Sequence, residues 1–125
     1  MQTSGTSHVF ALTPLEYDVL CAVVTKFAAD LVLFRLAKPQ PTGQAAALEE
    51  VATSTALMLN DRKTPTQIEE LALQAIVESV HTGAAPEFFE ALCSDKVLAI
   101  TPIRLRNTVR IISGKLAGSG FHAAA

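Results

Sequence analysis

The residues of this 125-residue chain best suited to chemistry are four cations near its C-terminal end: Arg104, Arg106, Arg110 and Lys115. Guanidinium and ammonium groups hold phosphate oxygens by charge-assisted hydrogen bonds. If their segment is a helix, Arg106 and Arg110 lie four apart and share a face, while Arg104 and Lys115 lie on another side. If it is a hairpin, Arg104, Arg106 and Arg110 can share one strand face. Either layout can contact a nucleic-acid backbone. The charge layout supports an anionic partner or self-complementary packing. Residues 96–125 carry five cations and no acid, net +5, whereas residues 1–95 carry all twelve acids against five cations, net −7. Against nucleic acid stand the absence of nearby aromatics for base stacking and the acidic remainder of the chain. The preferred expectation is therefore that these arginines pair with glutamates of neighbouring helices.

Other chemistries have weaker support. His8, His81 and His122 are far apart in sequence, and no HExxH or Cys/His spacing occurs. Glu78 and His81 are three apart, but a single such pair near a helix end is expected to be solvated, with His81 complementing the helix dipole. Cys21 and Cys93 stand outside any CxxC and are expected to be buried free thiols. Ser113-Gly114-Lys115 resembles the end of a phosphate-binding loop without its first glycine, and is expected to be a helix end. No GxSxG occurs. No catalytic residue, metal ligand or cofactor is expected, and the balance leans away from an enzyme.

The elements that position these residues are predicted to be helices. Thr13-Pro14-Leu15-Glu16 combines a capping threonine, a proline at the first helical position and a glutamate three after the cap. Leu12 and Tyr17 occupy the positions of a hydrophobic staple. Residues 14–37 then form a continuous apolar rod of about 36 Å at ~1.5 Å per residue, ended by Pro39 and Pro41. Leu20, Val23, Val24, Phe27, Leu31 and Phe34 share its main face, and water is expected to touch only a thin strip. Glu16, Asp18, Lys26, Asp30 and Arg35 argue against a membrane span.

A second helix is expected over about 43–60, with Leu48, Val51, Ala52, Thr55, Met58 and Leu59 inward. Thr64-Pro65 predicts the start of a third, capped by Thr64, with Ile68, Leu71, Ala72, Ala75, Ile76 and Val80 on its apolar face. Pro86 opens a short helix with Phe88, Phe89 and Leu92 as core candidates. Thr101-Pro102 predicts a last helix, although a short β-hairpin near 97–112 also fits the β-branched, partly alternating pattern.

The expected fold is all-α: a compact bundle of four to five helices over residues 12–116, with a flexible leader at 1–11 and a flexible tail at 117–125. No signal peptide is visible, which gives a cytoplasmic expectation by default. The expected function is a non-enzymatic helical interaction protein (adaptor, chaperone or regulatory subunit). Self-association as a homodimer is expected through the part of the central helix that its neighbours leave uncovered. The alternative is a small nucleic-acid-binding regulator using Arg104, Arg106, Arg110 and Lys115. An enzyme or ligand carrier with a pocket in the bundle ranks third.

Overall fold

A computed structural model describes residues 12–37, 43–94 and 98–117. Five helices occur in it: α1 (Pro14–Ala37), α2 (Gly43–Asn60), α3 (Gln67–Gly83), α4 (Pro86–Ser94) and α5 (Pro102–Lys115). There is no strand among the described residues, so the all-α reading holds and the hairpin alternative falls away. The expected leader at 1–11 and the expected tail beyond Ala117 lie outside the described residues. Among those residues, no helix is long and apolar enough to cross a membrane.

The start of α1 is built as its sequence demands. The Thr13 hydroxyl accepts from the Glu16 N–H at 3.1 Å, and the Glu16 carboxylate accepts from the Thr13 N–H at 3.0 Å. These reciprocal bonds satisfy donors that the first turn cannot. Leu12 and Tyr17, on either side of the cap, are both buried. α1 then touches all four other helices. Val19, Leu20, Val23 and Val24 on its first half are essentially inaccessible.

Its most extensive partner is α2. Ala28 of α1 and Ala52 and Ala56 of α2 are buried, and side chains that small let two backbones approach closely. α2 ends in a Schellman arrangement. The Lys63 N–H donates to the Met58 carbonyl at 3.0 Å, and the Arg62 N–H donates to the Leu59 carbonyl at 3.1 Å. Arg62 occupies the left-handed position of this motif, with φ 56°. A non-glycine residue there is held by its surroundings, since the conformation costs about 1–2 kcal/mol.

Two expectations about α3 are corrected. Its cap is Thr66, not Thr64. Thr66 forms a full capping box with Glu69, and Pro65 is buried ahead of the helix. Glu69 supplies the reciprocal carboxylate, which a cap at Thr64 would lack. The inward face is Leu73, Ile76, Val77 and Val80. Ile68 and Leu71 are 66 % and 54 % exposed. Ile76 and Val80 of the expected face are buried, and the helix is rolled so that Leu73 and Val77 join them in place of Ile68 and Leu71, against α1, α2 and α5.

In α5 the Thr101 hydroxyl accepts from the Arg104 N–H at 3.2 Å, and Pro102 follows it. The apparent alternation resolves into Leu105, Thr108, Val109, Ile112 and Leu116 on one buried face. That spacing is helical, not two-residue. The β-branched Thr108 is accommodated because its hydroxyl donates to the Arg104 carbonyl at 2.8 Å.

Candidate functional site

Two surfaces stand out, one on each side of the charge division. The first is the far end of α1. The rod is continuous, but the expectation that water touches only a thin strip of it fails there. Leu33 is 64 % exposed and Leu36 67 %, and Phe34, expected to face inward, is 56 % exposed. Leu48, an expected core residue of α2, is also exposed. Among the described residues, the last turns of α1 are covered less than its first half.

Grooves flank this end of α1. One of about 360 Å³ runs between Phe27, Leu31 and Phe34 on one side and Val80, Ala84 and Phe88 on the other. A larger groove of about 790 Å³ follows α1 from Tyr17 through Cys21 and Lys26 to Leu33, with Arg62 and Leu98 on its walls. Its polar groups serve the fold. The Tyr17 hydroxyl donates to the Leu59 carbonyl at 2.8 Å, and the Arg62 guanidinium sits 4.7 Å from the Tyr17 ring centroid. Lys26 pairs with Asp30 at 3.4 Å and lies 5.4 Å from the Phe88 centroid.

Burial pushes the Cys21 thiol above its ordinary value of 9.0; Arg62 opposes this shift and Asp18 adds to it. Burial raises Tyr17 as well. Burial disfavours the anionic form of both groups, so neither is an anion at neutral pH. Both cysteines are free, and both are half-buried where full burial was expected. Burial raises Cys93 too.

The second surface is the outer side of α5, where the four predicted cations separate into two roles. Lys115 turns inward. Its ammonium lies 2.6 Å from a Glu16 carboxylate oxygen and joins the end of α5 to the start of α1. Burial acts to raise the Glu16 pKa, but the hydrogen bonds from Lys115 and the Thr13 backbone outweigh it and hold the group below 4.5.

A folded-state value below the unfolded one means that this stabilisation is complete above about pH 4.5 and is lost as pH falls through the folded value. Lys115→Met leaves a 12 % exposed carboxylate without this partner. The expected loss at pH 7 is about 1–2 kcal/mol, kept small because the lysine side chain is 38 % exposed. Urea melts at pH 7 and pH 3 check it: the variant's deficit shrinks at the lower pH.

Arg104, Arg106 and Arg110 instead face solvent. The preferred expectation, that they pair with glutamates, is corrected: among the described residues none of the three forms an ion pair. Glu78, the α3 acid nearest α5, accepts from the Ser113 hydroxyl at 3.2 Å. Glu69 is engaged by its own capping box and by the Ser54 hydroxyl. Arg106 lies 4.9 Å from the Phe89 ring centroid, an interaction with a ring and not with a carboxylate. Gly114, at the suspected phosphate-loop remnant, lies within α5, as expected of a helix end, and a Cβ there would meet nothing within 4 Å.

His81 is exposed on the last turn of α3, and His8 and His122 lie outside the described residues. Among the described residues no three metal-ligating side chains gather. Comparison with family models, with curated proteins and with solved structures gives no match for this chain.

Proposed function

We propose that this chain is a non-enzymatic helical interaction protein, an adaptor, chaperone or regulatory subunit, that self-associates through the far end of α1. One observation carries the reading. A helix that sinks Val19, Leu20, Val23 and Val24 into the core in its first half presents Leu33 and Leu36 to water at 64 % and 67 % exposure on its last turns. Each such side chain gains about 1.5–3 kcal/mol when fully buried, and a second copy offers the same apolar surface in return. The smaller groove beside this end has walls that are mostly aliphatic and aromatic, suited to receive such side chains.

Light scattering at micromolar concentration tests the reading. The expected mass is twice that of the chain. The double variant Leu33→Asp/Leu36→Asp is expected to return the chain mass with helical circular dichroism unchanged. A wild-type chain that is monomeric under these conditions overturns self-association.

A further inference from the structure

We infer that the outer face of α5 is a groove-binding helix for duplex nucleic acid, straddled by phosphates on both flanks. This goes beyond self-association and uses a different surface. Three features of the face support it: its charge, the angular spread of that charge, and what lies between the charges.

The charge is positive and uncompensated. α5 contains no acid, and Arg104, Arg106 and Arg110 are all exposed without a carboxylate partner among the described residues. Arg106 stacks on the Phe89 ring, which leaves its charge uncompensated, so all three cations are available to an anion from outside.

The spread selects the shape of the partner. At ~100° per residue, Arg104 and Arg106 project about 160° apart around the helix. No flat surface reaches both. A channel that wraps the exposed side of the helix does. The major groove of B-form DNA is about 12 Å wide, which matches a helix with its side chains, and both of its walls carry phosphates. Arg104 would meet one wall and Arg106 the other. An acidic protein surface or an acidic helix would engage one flank only.

The ridge between the two flanks consists of Ile103, Asn107, Arg110, Ile111 and Gly114, all exposed, with Ile103 at 77 % and Ile111 at 42 %. Asparagine and arginine carry the donors that base edges accept, and an aliphatic side chain can meet a thymine methyl. Gly114, with open space around it, lets the far end of the helix approach closely. The inward turn of Lys115 agrees with this layout, because its ammonium neutralises Glu16 and leaves the outer face to the arginines.

The test uses the full chain and a fluorescently labelled 20-base-pair duplex, with anisotropy measured from about 50 to 300 mM salt. The two flanking phosphate contacts give a slope of log affinity against log salt of about −1.8 for each bound chain. Arg104→Gln and Arg106→Gln, on opposite flanks, are each expected to reduce the slope by about one. Lys63→Gln, an exposed cation on the α2–α3 turn, leaves it unchanged. Equal near-ultraviolet and far-ultraviolet dichroism shows that the variants are folded.

Three results overturn the inference. The first is no binding to the duplex at the lowest salt. The second is a loss confined to one flank. The third is binding to polyglutamate as tight as to the duplex, which would assign the face to an acidic protein.

Discussion

Phe89→Ala lowers the unfolding free energy by about 3–5 kcal/mol, the range for removing a buried aromatic ring. Phe89 is 2 % exposed and meets Phe88 edge-on, with ring centroids 5.7 Å apart at 77°. α4 spans nine residues, too few for a helix that is stable alone in water. Among its residues only Phe89 and Leu92 are fully buried, so α4 depends on them for its place against α1 and α5. The urea midpoint should fall with little change in slope, and amide exchange across α4 should accelerate more than across α1. A loss under about 1.5 kcal/mol would mean that α4 is not anchored in this way. The same variant removes the ring beneath Arg106.

The second large effect contrasts two positions nine residues apart on α1. Val24 is fully buried, and Val24→Asp would place an unpaired carboxylate among core side chains. Stranding a charge in this way costs about 3–5 kcal/mol, a large part of the 5–15 kcal/mol typical of a folded domain. The expected product is unfolded or aggregated. Leu33→Asp makes a comparable change at a site 64 % exposed in the single chain and, at concentrations low enough for both proteins to be monomeric, should leave the thermal melt within about 0.5 kcal/mol of wild type. Circular dichroism and thermal melts on both variants check the pair. Equal destabilisation at the two positions would contradict the division of α1 into a sunken half and an open half.

That division locates the limit of what periodicity conveys. The start of α1 was legible because a capping box is local: Thr13 and Glu16 satisfy each other whatever surrounds them. The start of α3 was misplaced by two residues for a related reason. Thr64-Pro65 and Thr66-Gln67 both look like caps, and only Thr66 has an acid three residues on to complete the box. The inward face of α3 is only partly legible: Ile76 and Val80 of the expected Ile68-Leu71-Ala72-Ala75-Ile76-Val80 stripe are buried, but Leu73 and Val77 on the adjoining stripe join them instead of Ile68 and Leu71. Nothing within one helix says which of these pairs meets a neighbour.

The arginines show the same limit. Their number and isolation from acids are plain in the sequence, but their surroundings depend on how α5 rolls. The roll is set by Leu105, Val109, Ile112 and Leu116 entering the core together. Once they are seated, Arg104, Arg106 and Arg110 must face out, and Lys115 reaches Glu16 from 99 positions away. No spacing rule spans that distance.

By itself the sequence determined the all-α class and most of the helix ends, because caps, prolines and helical periodicity act within a few residues, but it left the last segment open between helix and hairpin. Tertiary structure alone decided which stripe of α3 is buried, which cation is spent on the fold, and how far along α1 its neighbours reach. These follow from helix lengths and roll angles fixed mutually by packing, a property of the assembled bundle and not of any one segment.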